Sequence, residues 1–441
     1  MVIALLLLTA GVQASPADTT YLSLSTAVER ALEANPNLMA QRAAADAVAA
    51  LPAQASPAFL PSIELQLQGV RTDDPVAVFG LKLRQSNFTA PDFDIGALNN
   101  PDPYGGWNAV ANAQMPLLAP EGWYGYAAAR KAADASAAGA ARAEGATRFF
   151  AIRAYWDAQL AAYQVEALDS ALVSVRAHRE RAEAMRAQGM VTGLDARLAG
   201  LKASELEVRR LAAQAQADVA VSALRALLAL PDSQPVVLTD SLRFAEAQST
   251  CDGLEEAECS LDARGDLMAY RIGADAAGLQ VKQAWWSQLP MVAAFGSLGH
   301  YAQSAPFSDG AGAWTVGIGV TWPILKGLAG PGKVRAAQAE HRAAVAKQEA
   351  AEHQARLEVR EATRMLEAAR ERVAVAAAAE VEAREALDHA GLRYATGAAP
   401  ITELLDVQAA RTAATLNYLS ARRDLFVAAA AVDLAYGVYD R

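Results

Sequence analysis

The sequence predicts a mainly α chain with some β-structure, built from two internal structural repeats. Three observations lead there. Between Gly332 and Tyr436 a heptad reads Val345, Glu352, Val359, Leu366, Val373, Glu380, Leu387, Tyr394. Three residues after the members from Val359 to Leu387 stand Ala362, Ala369, Ala376, Ala383 and Ala390. A large residue at one seam position and Ala at the other is a coiled-coil pattern that lets neighbouring helices lie close. The segment Trp314 to Trp322 alternates without a fault, as a two-faced strand does. Finally, the spacings between landmarks recur in the two halves of the chain.

Those spacings are close. Leu38 to Pro61 is 23 residues, as is Leu267 to Pro290; Trp107 to Pro116 is 9, as is Trp314 to Pro323. Pro116 to Gly189 is 73 residues and Pro323 to Gly397 is 74. Only the stretch between the strands of each pair differs much, 46 residues from Pro61 to Trp107 against 24 from Pro290 to Trp314. A duplicated unit explains such coincidences. The predicted division is a signal peptide over 1–14, a first repeat over 15–230, a connector over 231–262 and a second repeat over 263–441. Each repeat reads helix, strand, loop, strand, long helix, turn, helix.

In chain order, Val2 to Leu8 is apolar and Val12-Gln13-Ala14 offers a small-residue cleavage site, although no basic residue precedes the apolar run. A buried strand is the alternative. Thr26 to Ala50 reads as a helix capped by Ser23 or Ser25 and interrupted at Pro36. Ile63 to Gln68 and Asn108 to Met115 alternate as strands, and Arg71 to Gly106, rich in Asp, Asn, Pro and Gly, reads as a long loop. Helix then runs from Pro120 to Gln188, turns over Gly189 to Gly193, and returns from Leu194 to Leu230. The connector carries the only two cysteines, Cys251 and Cys259. A disulfide across it fits an oxidising compartment, and two separate thiols fit equally well. A helix from Asp266 to Gln288, a strand over Pro290 to Tyr301 and the Trp314–Trp322 strand lead into the heptad arm. At 1.5 Å per residue, an arm of about 60 residues spans about 90 Å, too long for a globular helix.

The formal net charge of -10 argues against nucleic acid as a partner. No stretch after the first reaches the length of a membrane-spanning helix. The Trp314–Trp322 strand nevertheless has an apolar face with Trp314 and Trp322 as an aromatic girdle. Its other face, Thr315, Gly317, Gly319 and Thr321, suits water. In lipid every backbone group must be paired, and four strands cannot close a sheet alone, so copies of the chain would have to close it. A soluble sandwich, or a small sheet capping a helical bundle, is the alternative.

The late segments Arg393-Tyr394-Ala395-Thr396-Gly397, Ile401-Thr402-Glu403-Leu404-Leu405-Asp406-Val407-Gln408, Leu416-Asn417-Tyr418 and Leu434-Ala435-Tyr436-Gly437 point further. Together with Leu24 to Pro36 and the twofold repeat, they make the chain resemble the TolC-like outer-membrane efflux protein family. The resemblance implies a homotrimer in outer-membrane lipid: one twelve-stranded β-barrel, four strands per chain, continuing into a periplasmic α-helical coiled-coil barrel. It implies a passive exit duct that works with a periplasmic adaptor and an inner-membrane pump, in tripartite efflux or type I secretion. The turns at Gln188, Gly189 and Met190 and at Thr396, Gly397 and Ala398 would be adaptor-docking tips. Glu403 and Asp406 would form an acidic constriction, and Tyr394 and Asp195 match members of a closing latch. The latch Arg that the family places two residues after Gly397 is replaced by Ala399.

Independently of any family, six carboxylates near a threefold axis would attract cations and raise one another's pKa. The plainer reading of Glu403 and Asp406 is that they are first-turn acids favoured by the helix dipole. Gly327 to Val334 nearly fits a phosphate loop, but Val334 replaces the hydroxyl that would hold Mg²⁺. His178, His300, His341, His353 and His389 show no metal-ligand spacing, so no cofactor, metal site or enzyme is expected. The rival to a channel is a periplasmic coiled-coil adaptor or scaffold without its own pore. An adaptor would carry one hairpin flanked by β-rich domains.

Overall fold

The computed structural model describes residues 19–251, 259–324 and 328–440. The expected signal peptide and Gly327 lie outside them. The principal elements are β1 (Thr20–Leu22), α1 (Leu24–Ala34), α2 (Pro36–Ala49), β2 (Ser62–Thr72), α3 (Pro75–Arg84), β3 (Tyr104–Leu118), α4 (Pro120–Ala187) and α5 (Gly193–Leu227). They continue with β4 (Val236–Leu238), α6 (Gly265–Trp286), β5 (Met291–Ala302), β6 (Gly310–Thr321), α7 (Ala329–Ala395) and α8 (Ile401–Ala435). The long helices match in length: 68 and 67 residues for α4 and α7, and 35 each for α5 and α8. Among the described residues no helix is long and apolar enough to cross a membrane.

The chain forms two compact units. One comprises Met1–Ala44, Ala138–Met268 and Ala350–Arg441; the other comprises Ala45–Ala137 and Ala269–Glu349. The units cut across the two sequence halves, since each half contributes to both.

In the first unit the heptad arm packs as its pattern requires. Leu366, Ala369, Leu387, Ala390 and Tyr394 are buried, while Met365, Val375 and Leu392 lie outside the seam and stay exposed. A second cluster joins α1, α4, α5 and α8 around Tyr155 and Trp156, with the Trp156 ring stacked on Phe426 at 4.1 Å. Ser23 caps α1 in a reciprocal capping box with Thr26. Pro36 does split the helix, and the Asn35 side chain accepts hydrogen bonds from the Asn37 and Leu38 amides across the break.

The described residues of the connector are tied to the helices around them. β4 pairs in parallel with β1, and Asp240 accepts hydrogen bonds from the Leu24 amide (2.6 Å) and the Tyr155 hydroxyl (2.8 Å). Burial and the Asp240 carboxylate push the Tyr155 hydroxyl up to about 12. Cys251 and Cys259 are joined in a disulfide, which decides the alternative left open above. Beside it, Asp433 of α8 accepts from Ser249 Oγ (2.6 Å) and the Thr250 amide (2.8 Å), tying the connector to the helix.

The second unit holds one antiparallel sheet in the order β2-β3-β5-β6. The expectation of a long loop over Arg71 to Gly106 is overturned. β2 runs to Thr72, β3 begins at Tyr104, and the residues between include α3 and a short helix, Ile95–Asn99. Asp74 caps α3, Pro75 opens it, and Lys82 and Arg84 stand in its last turn. These are helix start and stop signals that the Asp- and Pro-rich composition hid. β6 ends at Thr321, one residue before Trp322.

Gly437, after α8, has φ +71°, and a Cβ there would lie 2.9 Å from both Cα and Cγ of the buried Arg264. Gly437→Ala is therefore expected to cost about 1–3 kcal/mol. The check is a lowered thermal midpoint by circular dichroism, and an unchanged midpoint would contradict the strain.

Candidate functional site

Two features can carry function: the pair of helical turns and the two-faced sheet. The turns are built alike. After α4, the Gly189 amide donates to Arg186 O (2.9 Å) and the Met190 amide to Met185 O (2.9 Å). After α7, the Gly397 amide donates to Tyr394 O (3.1 Å) and the Ala398 amide to Arg393 O (2.8 Å). This is the Schellman closure, and it requires the left-handed backbone that Gly189 (φ +77°) and Gly397 (φ +74°) supply. Gln188 and Thr396 precede these glycines at matching positions, each donating its amide back into the last helical turn.

Next to the turns, an apolar cluster packs Leu168, Leu172, Val175 and Met185 of α4 against Ala196 and Ala199 of α5. The same cluster takes in Leu387, Ala390 and Tyr394 of α7 and Ile401, Leu404 and Leu405 of α8. The four candidate site residues stand around it in different states. Asp195 and Glu403 each occupy the third position of their helices, α5 and α8. Thr192 Oγ1 lies 3.5 Å from Asp195. Arg393 donates to Glu403 at 2.6 Å, bridging the turn. Asp406, one turn later, is exposed and makes no ion pair among the described residues.

Tyr394 is buried, and its hydroxyl finds no hydrogen-bond partner among the described residues. Burial pushes its pKa up, and the neighbouring Asp195 carboxylate adds to this. The structure thus brings Tyr394 near Asp195 and Glu403 onto Arg393. The Arg393 pairing was missed in the sequence reading. Its signal is an Arg four residues before the turn glycine and an acid six after it, which places both at the mouth of one tight turn.

In the sheet, the register carries each face across all four strands. One face carries the rows Ile63–Ala113–Gly296–Val316 and Leu65–Ala111–Leu298–Trp314, with Met115–Ala294–Ile318 continuing along three strands. The other face carries Glu64–Asn112–Ser297–Thr315 and Gln66–Val110–Gly299–Ala313, with Gln114–Phe295–Gly317. The apolar face is open to its surroundings: Ile63 is 77%, Val316 71% and Ile318 70% exposed. Trp314 and Trp322 are also exposed, eight residues apart, about 26 Å along an extended strand. Among the described residues β2 and β6 each pair on one side only, which leaves both sheet edges open. Among the described residues no group of side chains could hold a metal ion.

Two helical hairpins and a two-faced sheet are a fold that this chain shares with solved structures. It resembles VceC, an outer membrane protein of Vibrio cholerae (TM-score 0.76, 20% identity, 94% of this chain and 96% of that one). It also resembles the CmeC outer membrane channel of Campylobacter jejuni (TM-score 0.79, 17% identity, 94% and 85%) and the MtrE outer membrane channel of Neisseria gonorrhoeae (TM-score 0.77, 20% identity, 94% and 88%). At such identities the likeness establishes the fold. No curated protein matches the chain by sequence. Residues 258–438 match the model of the family described as Outer membrane efflux protein.

Because the Tyr394 hydroxyl is buried without a partner, Tyr394→Phe is expected to leave stability unchanged or raise it by about 1–2 kcal/mol. A clear drop in the denaturation midpoint would mean that the hydroxyl is bonded after all.

Proposed function

We propose that this protein is an outer-membrane channel, the passive exit duct of an efflux or type I secretion assembly. The observation that carries the reading is the sheet: a face of large apolar residues, an opposite face of mostly polar and small residues, and two edges unpaired among the described residues. In lipid such edges must be paired, and pairing β6 of one copy with β2 of the next satisfies them. Three copies would supply twelve strands, with the apolar face toward lipid and the polar face toward a water-filled lumen. The equal helix lengths and the two like turns support the chain being a duplicated unit, whose hairpins would line a periplasmic helical barrel. The turn residues Gln188, Gly189 and Met190 and Thr396, Gly397 and Ala398 would present the docking tips to an adaptor, which couples the duct to an inner-membrane pump. The rival adaptor reading has no use for a two-faced membrane strand set.

Cell fractionation tests this reading: the protein is expected in the outer membrane and released as a trimer by detergent. Recovery as a soluble periplasmic monomer would sink it.

At the tip, Glu403 and Asp406 form the proposed acidic constriction. The Arg393 guanidinium, 2.6 Å from Glu403, offsets one carboxylate per chain. Asp406 then sets most of the negative potential. In planar bilayers, Glu403→Ala with Asp406→Ala is expected to weaken cation preference, with Asp406→Ala alone giving most of the loss. Arg393→Ala should strengthen cation preference instead. Selectivity indifferent to all three substitutions would reject the constriction.

A further inference from the structure

The insert between β2 and β3 has a place that the channel reading does not assign. α3 lies against the polar face of the sheet. Gln85, which ends the helix, is 3% exposed and occupies the space a side chain at Gly106 would take; its Nε2 donates to Ala302 O (3.4 Å). The Tyr104 hydroxyl donates to Gln85 Oε1 (2.7 Å), and the Arg84 guanidinium stands over the Tyr301 ring at 5.4 Å. Tyr104, Gly106 and Tyr301 alternate with Trp107 and share the face of Asn108, Asn112 and Gln68. The helix spans from β3 to β6 on that face.

The rest of the insert is braced rather than loose. Lys82 pairs with Asp92 at 2.7 Å, and Phe88 meets Phe79 and Phe93 edge-on at 4.9 and 5.1 Å.

α3 is apolar on both sides. Val78 and Leu81 are buried toward the sheet, with Val78 3% exposed. The opposite side presents Val76 and Leu83, two turns apart and 80% and 50% exposed, with Phe79 between them. Apart from Lys82 and Arg84 in its last turn the helix is apolar on two opposite sides, and a helix with both sides apolar is one that is covered on both. The position of the helix decides what covers it. If copies of this sheet close a barrel, the polar face is the lumen, and each copy places its α3 inside the same bore. Twelve strands about 4.8 Å apart and tilted by about 40° enclose a cylinder of about 12 Å radius. A helix about 10 Å wide lying on the inner wall reaches the axis. The exposed side of α3 then faces the same side of the other two copies.

We propose that α3 is a plug: three copies meet about the channel axis through Val76, Phe79 and Leu83 and close the lumen at the end of the barrel where β2 turns into the insert. The proposal rests on the trimeric channel reading, and it assigns the occupant of the exposed apolar stripe as a second copy of this chain.

The test uses the full-length protein in detergent and in planar bilayers. Val76→Cys is expected to form disulfides between copies under mild oxidation, seen as a dimer band on a non-reducing denaturing gel. Val76→Ser with Leu83→Ser, both at exposed positions that the fold of one chain does not need, should raise single-channel conductance at least about twofold as the plug loosens. A trimer that conducts ions but gives no Val76→Cys cross-link, or whose conductance ignores the double serine variant, overturns the plug and leaves the channel standing. Failure to find either a trimer or any conductance removes the channel reading, and the plug falls with it.

Discussion

Backbone hydrogen bonding at the two edges of one small sheet governs what this molecule can be. Among the described residues, β2 and β6 each carry an unpaired row of N–H and C=O groups, next to an exposed face of Ile63, Leu65, Val316, Ile318 and Val320. In water such an edge recruits other strands indiscriminately, and in lipid an unpaired edge is too costly to persist. The proposed closure by copies of the same chain would satisfy both demands at once. It also gives the two faces distinct surroundings, which the alternation of apolar and polar residues across four strands already anticipates.

The helical part follows a different logic, in which small residues decide how near two helices come. Ala at alternate seam positions of α7, together with Ala196 and Ala199 of α5, leaves the large members Leu366, Leu387 and Tyr394 to fill the space between backbones. Glycine enters only where the chain must reverse. Gly189 and Gly397 take the left-handed conformation that closes α4 and α7 with the same pair of hydrogen bonds. Two reversals built alike, between helices of matching length, agree with the duplicated unit proposed from the sequence spacings.

Charge at the second turn is arranged economically. Glu403 sits where the α8 dipole favours an acid, and the same carboxylate is bound by Arg393 across the turn. Asp406 is exposed without such a partner. Helix-dipole stabilisation and a functional negative potential are therefore compatible for these two residues, because different carboxylates answer to each. Tyr394 contributes bulk to the cluster, and its buried hydroxyl gains nothing from hydrogen bonding.

Much of this was legible in the sequence because periodicity is local. The heptad of the long arm, the alternation of Trp314 to Trp322, the turn glycines and the spacing between halves each follow from a few neighbouring residues and a fixed helical or extended period. The helix α3 was equally local, yet its Asp74 cap and Pro75 start were masked by the surrounding Asp and Pro. What only the tertiary structure decided depends on residues far apart in the chain. The pairing of β1 with β4, with the Leu24 amide bonded to Asp240 across 216 residues, leaves no mark on either segment. The disulfide needed its two cysteines placed side by side, which a spacing of eight residues permits but does not impose. The seat of α3 on the sheet required Gln85 to enter the space that Gly106 leaves free. A sequence states what each segment prefers, and only the folded chain states which segment each one meets.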